Sequence, residues 1–283
     1  MAGPLLVVDT PSLLYRSFFA LPETITDADG MPVNALLGAV NRLLLVIAAE
    51  RPRAVVHCFG PDAAPYRVRL YPAYHAKRPA MPAGLRRQWD IAADFFNAFG
   101  WYVTDHAEVE ADDLLFSYGL AEATAGGHAL LLTGDRDLYG AVRDGVSVLY
   151  LKTGADGPEP VDANEVRRRY GVDPALVAQF IALRGDPSDG LPGAPGIGAK
   201  TAADLLRRHG SIEQAIARSL RERPRVGAAL REHADELRAF VEIATLQEVA
   251  VELPADRETN RAGGAAAARA RGMERLAKRL EAG

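Results

Sequence analysis

Residues 129–135 read "ALLLTGD", a continuous apolar run that ends at an aspartate. Similar short apolar runs recur along the first half of the chain, separated by segments of helical periodicity; they are "LLVVD" at 5–9, "AVVHCF" at 54–59, "WYVTD" at 101–105 and "SVLYL" at 147–151. Continuous apolar strands that alternate with helices are typical of a parallel sheet buried on both faces. The sequence therefore predicts an α/β fold with a mostly parallel central sheet and helices on both faces.

The pattern changes after residue 151, where short helical segments follow one another. Helices are predicted over 34–50, with Asn34 as a possible cap, and from Glu110 to the glycines at 126–127. "EVAVEL" at 248–253 is a weak strand pattern. We expect an α/β core over residues 1–160, with an arch at about 66–89, then a helical region over 161–255. A loosely packed tail, rich in Ala and Arg, is expected over 256–283.

Composition and charge limit the possible partners and compartments. The formal net charge of -4 argues against a uniformly basic shell, so any nucleic-acid-binding surface must be local. The single cysteine, Cys58, cannot form an intramolecular disulfide. No signal peptide is recognisable, and no run approaches the roughly 18 apolar residues of a membrane span. We therefore expect a cytoplasmic monomer without a membrane partner.

Carboxylates are concentrated where predicted strands end and helices begin. Eight of them come from separate segments: Asp9, Glu110, Asp112, Asp113, Asp135, Asp137, Asp186 and Asp189. Taken alone, each acid has an ordinary structural explanation, because acids favour the first turn of a helix and aspartates beside Pro and Gly are common in turns. Together they are expected to meet, because the carboxyl ends of parallel strands form one edge of the sheet.

Such an acid cluster suits a hard divalent cation. Mg²⁺ and Mn²⁺ prefer oxygen ligands, whereas no Cys/His pair has the spacing of a zinc site. Two metals about 4 Å apart can activate a water and stabilise the leaving oxygen of a phosphoryl displacement. The sequence therefore favours phosphodiester hydrolysis.

Four motifs resemble the 5'-nuclease family, which comprises flap endonucleases, phage 5' exonucleases and the N-terminal 5'-3' exonuclease domain of bacterial DNA polymerase I. They are "LLVVDTPSLLYRSFFAL", "EVEADDLL", "TGDRDLYGAV" and "LRGDPSDGLPGAPGIGAKTAADLL", in the family's order. The resemblance implies a 5'-3' exonuclease and flap endonuclease that acts on DNA with 5' flaps, gaps or free 5' ends, in replication and repair. It also implies that the eight acids bind two or more Mg²⁺ or Mn²⁺ ions and that Arg16 contacts the phosphate near the scissile bond.

Two further segments are similar to DNA-binding parts of that family. "GIGAKTAADLL" resembles its helix-three-turn-helix motif, in which Gly196 and Gly198 would let the DNA backbone approach, Lys200 and Thr201 would reach phosphate, and the turn at 196–198 would hold K⁺. The arch segment, residues 66–89, resembles the arch through which a single-stranded 5' end passes. We expect Arg67 and Tyr74 to contact DNA there, with Tyr66, Tyr71 and Trp89 also available for stacking on bases. The alternative is a solvated loop with incidental arginines.

The chain departs from the family pattern at two positions. The family has a metal-site aspartate where Gly60 stands, so either Asp62 substitutes for it or Asp62 is an ordinary loop acid. The family also tends to have an arch lysine where His75 stands, so His75, Lys77 or Arg78 must supply that charge. We expect Gly60→Asp to be tolerated or activating. A module that binds branched DNA with weak or absent cleavage is the alternative function, and a toxin-like ribonuclease is a third.

Overall fold

The computed structural model describes residues 3–152 and 157–282. Within them lies a six-stranded sheet of β1 (Leu5–Asp9), β2 (Ala54–Cys58), β3 (Tyr102–Thr104), β4 (Ala129–Thr133), β5 (Val146–Tyr150) and β6 (Glu159–Val161). The strand order is β3-β2-β1-β4-β5-β6, and all strands are parallel except β6, which pairs antiparallel with β5. The predicted mostly parallel sheet is confirmed. The sequence analysis missed β6, because three residues that include Pro160 carry little strand pattern.

Helices cover both faces of the sheet and form most of the second half. They are α1 (Thr10–Ala20), α2 (Asn34–Glu50), α3 (Pro65–Leu70), α4 (Ala83–Asn97), α5 (Ala111–Thr124), α6 (Ala163–Tyr170), α7 (Val177–Arg184), α8 (Ala199–His209), α9 (Ile212–Ala217), α10 (Pro224–Glu232), α11 (Ala234–Ala244), α12 (Arg261–Ala270) and α13 (Glu274–Glu281). The predicted helix 34–50 is confirmed, but its N-cap is Val33. The Asn34 side chain instead donates to the carbonyl oxygens of Phe18 and Leu21, both at 2.9 Å. Residues 248–253 have no regular secondary structure, so the weak strand pattern there does not form a strand.

Two apolar cores lie on opposite faces of the sheet, because successive strand side chains point to opposite sides. Leu5 and Val7 of β1 pack with residues of α5, α7, α8 and α11. Leu6 and Val8 pack with residues of α1, α2, α4, α12 and α13. The strands are therefore buried on both faces, which explains their continuous apolar sequences. In the part of the chain that is described, no helix is both long and apolar enough to cross a membrane.

The expectation of a loosely packed tail over 256–283 is wrong. Met273, Leu276 and Leu280 are buried in the same core as Leu6 and Val8. Hydrogen bonds also fix the preceding segment: the Asn260 amide donates to the Phe99 carbonyl at 2.8 Å, and the Trp101 indole donates to the Thr259 hydroxyl at 3.0 Å. The helix pair α12–α13 therefore packs on the core through a few apolar residues at helical spacing, despite its Ala-rich and Arg-rich composition.

Candidate metal and DNA site

Asp9 lies at the carboxyl end of β1 and is held rigidly. It caps α1, with Oδ1 accepting from the Ser12 amide at 3.0 Å and Oδ2 accepting from the Thr133 hydroxyl at 2.6 Å. Burial raises the pKa of Asp9 to about 6, the two hydrogen bonds oppose this, and the Asp112 charge adds to it. The carboxylate therefore faces the end of β4, where the next acids lie.

Asp135 and Asp137 follow β4 in a tight turn. The Asp135 amide donates to the Thr133 hydroxyl, and Asp135 Oδ1 accepts from the Asp137 amide, both at 2.9 Å. Burial raises the pKa of Asp135 to about 7, with further contributions from the charges of Asp189, Asp9 and Asp112. Burial and the neighbouring acids also raise the pKa of Asp137 well above its ordinary value. Acids from β1, β4, α5 and the loop after α7 are therefore near enough to repel one another.

A cleft of about 400 Å³ opens beside these acids. Its walls are Ser12, Arg16, Gly134, Asp135, Arg136, Asp137, Tyr150, Tyr170, Arg184, Asp186 and Ser188. Arg16 Nη2 donates to the Gly134 carbonyl at 2.6 Å, and a Cβ on residue 134 would lie 1.8 Å from Arg16 Nε. A side chain at residue 134 would therefore displace the Arg16 guanidinium from its present position.

Arg184 is a cleft residue that the sequence analysis missed. Its Nη2 donates to Asp186 Oδ2 at 3.0 Å, and its guanidinium lies 5.2 Å from the centre of the Phe180 ring. An arginine in the last turn of a helix is ordinary, so the sequence carried no signal beyond its position before "GDPSDG". The positive charge of Arg184 partly offsets the negative charge of the cleft carboxylates.

Asp186 and Asp189 lie on the loop after α7. Asp186 Oδ1 accepts from the Ser188 amide at 2.9 Å, so part of this carboxylate stabilises the turn. Asp189 Oδ1 accepts from His75 Nε2 at 3.1 Å and from Arg78 Nη2 at 3.0 Å. Burial favours the protonated form of Asp189, but the hydrogen bond and charge of His75, together with Arg78 and Arg67, outweigh it and lower its pKa.

Glu110 caps the start of α5. Its Oε1 accepts from the Ala64 amide at 2.7 Å, and its Oε2 lies 3.0 Å from the Tyr74 hydroxyl and 2.9 Å from Arg67 Nη1. Burial and the Asp112 charge raise the pKa of Glu110, against the opposing effect of Arg67. Asp112 is a quarter exposed, whereas the Asp113 side chain is fully buried.

The donor set fits a hard divalent cation only after side-chain rearrangement. Within residues 3–152 and 157–282, no three His, Cys, Asp or Glu side chains are placed so that they could hold one metal ion. The available donors are carboxylate oxygens, which Mg²⁺ and Mn²⁺ prefer. The raised pKa values of Asp9 and Asp135 also reflect an excess of negative charge that a divalent cation would offset.

The arch segment is more compact than expected, and its aromatic residues pack inward. Trp89 packs edge-on against Phe59, with ring centres 5.5 Å apart, and Tyr71 packs edge-on against Phe240 at 5.1 Å. Tyr74 is buried, and its hydroxyl donates to Glu110. The expectation that Tyr74 contacts DNA is therefore wrong for this conformation, because its ring and hydroxyl are both used internally.

The arch cations divide into buried and exposed groups. Arg67 is only 2% exposed and lies among the acids of α5, so the expected Arg67 contact with DNA is also wrong for this conformation. Lys77 is exposed, while Arg78 binds both Asp62 Oδ1 at 3.2 Å and Asp189 Oδ1 at 3.0 Å. His75 is buried at a positive φ of 55° with both ring nitrogens engaged, Nδ1 by the Asp62 carbonyl and Nε2 by Asp189.

Asp62 is placed as a loop acid. Its side chain is 70% exposed and its carboxylate pairs with Arg78 at the arch. Of the two alternatives for this residue, the structure favours the ordinary loop acid over the substitute metal ligand.

Gly60 lies against the start of α5. A Cβ at this position would be 2.8 Å from the Val109 carbonyl oxygen and 2.9 Å from the Ala111 amide nitrogen. Backbone atoms cannot move aside as a flexible side chain can, so the expectation that Gly60→Asp is tolerated is wrong. The backbone around Glu110 occupies the space that an aspartate here would need.

Gly60→Asp is therefore expected to lower the free energy of unfolding by about 2 kcal/mol, because the added side chain displaces the backbone that carries Glu110. Chemical denaturation measures this change. Gly157→Asp is the matched control, since no atom lies within 4 Å of its Cβ position. Equal stability of the two variants would contradict the close approach at Gly60.

The glycine turn before α8 is open to solvent. Gly196 has a φ of +77°, Gly198 caps α8 without a side-chain hydrogen bond, and no atom lies within 4 Å of a Cβ on either residue. The first amides of α8 lack intrahelical acceptors, which suits an anion. Lys200 is exposed and Thr201 is half-buried at this helix start. The turn can thus approach a phosphate backbone closely.

Comparison with known proteins identifies the family. A family model described as "5'-3' exonuclease, N-terminal resolvase-like domain" matches residues 4–171, and another, "5'-3' exonuclease, C-terminal SAM fold", matches residues 172–266. The chain therefore belongs to the 5'-3' exonuclease family, and it is a nuclease. The two models meet just after α6, whereas the boundary expected at 160/161 falls inside β6.

Similar proteins agree with this assignment. The chain is 37% identical to a 5'-3' exonuclease of Mycobacterium tuberculosis (strain H37Rv), over 91% of this chain and 89% of that protein. It is 41% identical to a 5'-3' exonuclease of Streptomyces coelicolor, over 73% of this chain and 72% of that protein. It is 35% identical to DNA polymerase I of Mycobacterium leprae, over 88% of this chain but only 27% of that longer protein.

Solved structures share the fold at low sequence identity. The T5 D15 protein, co-crystallised with metal ions, superposes with a TM-score of 0.71 at 17% identity, over 98% of this chain and 96% of that chain. The catalytic core of Rad2, in complex with a DNA substrate, superposes with a TM-score of 0.65 at 13% identity, over 99% of this chain and 92% of that chain. At these identities the comparisons show the fold alone.

Proposed function

We propose that this nuclease is a divalent-metal-dependent 5'-3' exonuclease and structure-specific flap endonuclease. Its substrates are DNA molecules with 5' flaps, gaps or free 5' ends, and its role is in replication and repair. The observation that carries this proposal is the convergence of carboxylates at the carboxyl edge of the sheet. Asp9 Oδ2 and the Asp135 amide both bond to the Thr133 hydroxyl, and Asp135, Asp137 and Asp186 line one cleft.

Bound Mg²⁺ or Mn²⁺, two or more ions, would supply the activated water and stabilise the leaving oxygen. The residues that would hold them are the carboxylates that line or adjoin the cleft: Asp9, Glu110, Asp112, Asp135, Asp137, Asp186 and Asp189. Arg16 is anchored on the Gly134 carbonyl at the cleft wall, and it orients the phosphate next to the scissile bond. A protein monomer suffices for this arrangement.

The arch supplies positive charge beside the cleft. His75 holds Asp189 and the Asp62 carbonyl, so its ring serves to anchor the arch rather than to contact phosphate. Lys77, which is exposed, and Arg78, once it leaves Asp189, carry the charge that the 5' strand meets. The duplex binds at the glycine turn, with K⁺ on the turn carbonyls of 196–198 and phosphates at the start of α8.

Cleavage of a 5'-labelled flap substrate tests this function. Incubation with Mg²⁺ or Mn²⁺ is expected to release the flap, and a matching RNA is expected to be cut more slowly. Binding without cleavage in either metal would support the alternative, a branched-DNA-binding module. Faster cleavage of RNA would instead support the ribonuclease.

Lys200→Ala is expected to weaken DNA binding by about 3- to 10-fold and to reduce the slope of log affinity against log salt by about 1, because it removes one phosphate contact. Fluorescence anisotropy with Ca²⁺ in place of Mg²⁺ measures binding at several salt concentrations. Lys278→Ala, which removes an exposed lysine on α13, is the control. Equal effects of the two substitutions would argue against the glycine turn as the duplex site.

A further inference from the structure

Arg67 is a buried cation among the acids of α5. Its Nη1 lies 2.9 Å from Glu110 Oε2 and 3.4 Å from Asp112 Oδ1, and its Nη2 lies 2.8 Å from Asp113 Oδ1. The side chain is 2% exposed, so it cannot reach DNA without unfolding α3 from this surface. A guanidinium keeps its charge at every accessible pH, so Arg67 is a permanent counter-ion for these carboxylates.

Asp113 is saturated with hydrogen-bond donors. Its Oδ1 accepts from Arg67 Nη2 at 2.8 Å and from the Gln247 amide at 2.7 Å, and its Oδ2 accepts from the Glu110 amide at 3.1 Å. A carboxylate offers about four acceptor positions, so three are in use, in a side chain with no exposed surface. A metal ion could bind Asp113 only by displacing these donors, two of which are main-chain amides. Glu110 also has three donors, but only one of them is a main-chain amide and 12% of its side chain is exposed.

The same two residues connect three segments that are distant in sequence. Arg67 Nε donates to the Ile243 carbonyl at 3.0 Å, at the end of α11. The Ser117 hydroxyl, on α5, donates to the Asp113 carbonyl at 2.7 Å and accepts from the Val249 amide at 3.0 Å. The arch helix α3, the acid-bearing helix α5 and segment 243–249, which comprises the end of α11 and the irregular residues after it, are therefore fixed to one another at this point.

We propose that Arg67 and Asp113 are positioning residues: together they form a joint that holds α3 and segment 243–249 against α5, and Asp113 binds no divalent cation. This inference rests on the proposed metal-dependent function of the neighbouring acids. It leaves Asp112, which is a quarter exposed and whose charge acts on Asp9 and Asp135, as the α5 aspartate available to a metal ion.

Measurements of metal affinity distinguish the roles of the neighbouring Asp112 and Asp113. Titration calorimetry of DNA-free protein with Mn²⁺ is expected to show at least 10-fold weaker binding for Asp112→Asn, and less than 2-fold weaker binding for Asp113→Asn. Equal weakening by the two substitutions would overturn the proposal, because it would make Asp113 a ligand.

Hydrogen exchange tests the joint without any metal. The Gln247 amide is expected to exchange at least 10-fold faster in Asp113→Asn than in wild type, and at an unchanged rate in Asp112→Asn. Equal exchange rates of the Gln247 amide in the two variants would show that Asp113 does not hold this segment and would overturn the proposal. Flap cleavage by the wild type is measured separately, so failure of the proposed function is distinguishable from failure of this inference.

A double variant at Arg67 and Asp113 keeps the test informative if a single substitution prevents folding. Arg67→Gln alone leaves the buried Asp113 charge without its partner, which is strongly destabilising. The pair Arg67→Gln with Asp113→Asn removes both charges, so it is expected to unfold at a higher temperature than Arg67→Gln alone. A double variant that unfolds at a lower temperature than Arg67→Gln would show that the two charges do not act together and would overturn the proposal.

Discussion

Asp135→Asn is expected to reduce flap cleavage by about 1000-fold while DNA affinity stays equal or rises. Asp135 lies among several candidate ligands, since the charges of Asp189, Asp9 and Asp112 all act on it. An amide keeps the shape of the side chain and its hydrogen bond to the Asp137 amide, but it removes one negative charge. Metal binding therefore suffers, whereas repulsion of the phosphate backbone decreases.

The measurement combines single-turnover cleavage of a labelled flap in Mg²⁺ with anisotropy binding in Ca²⁺. Asp144→Asn is the matched control, because this exposed aspartate precedes β5 and lies at the opposite end of the strands. Loss of binding in Asp135→Asn, or a loss of cleavage as large in Asp144→Asn, would contradict the central place of Asp135.

Without divalent metal, the protein is expected to lose stability as the pH rises from about 4 to about 7. Burial raises the folded-state pKa of Asp9 from 3.8 to about 6 and that of Asp135 from 3.8 to about 7. In this window the folded state binds more protons than the unfolded state, so stability falls with rising pH. The two shifts together correspond to a loss of roughly 7 kcal/mol, and hence to a decrease in Tm of roughly 15–25 °C.

Thermal unfolding in EDTA across this pH range measures the effect, and the same series with Mg²⁺ is expected to be much flatter. Asp135→Asn is expected to reduce the slope in EDTA, because one of the carboxyl groups with a raised pKa is gone. Asp144→Asn is expected to leave the slope unchanged. A wild-type Tm that rises with pH in EDTA would show that the pKa values of these carboxylates are not raised in the folded state.

The sequence predicted the parts of the fold and site that depend on local pattern. Asp9 and Asp135 end apolar strands, and parallel strands place their carboxyl ends together, so their proximity followed from topology. The glycine turn at 196–198 was expected from the resemblance of "GIGAKTAADLL" to the family's motif, because glycine spacing alone is equally common in packed helix–helix turns.

The errors concern contacts between distant segments. Tyr71 packs on Phe240 and Arg67 bonds to the Ile243 carbonyl, and nothing near residues 66–89 indicates these partners. An aromatic residue in a basic stretch has the same local pattern whether it faces solvent or a core. The close approach at Gly60 depends likewise on a backbone about fifty positions away, so a missing aspartate was interpreted only as a lost ligand.

The burial of α13 in the same core as β1 also has a consequence for folding during synthesis. Leu276 and Leu280 complete the core that Leu6 and Val8 begin, so β1 meets some of its partners only after residue 280 has left the ribosome. Until then, Leu6 and Val8 lack part of their apolar cover, and nascent chains with such exposed surface are prone to aggregate. Slow synthesis of the codons for α12 and α13 should therefore lower the yield of folded nuclease.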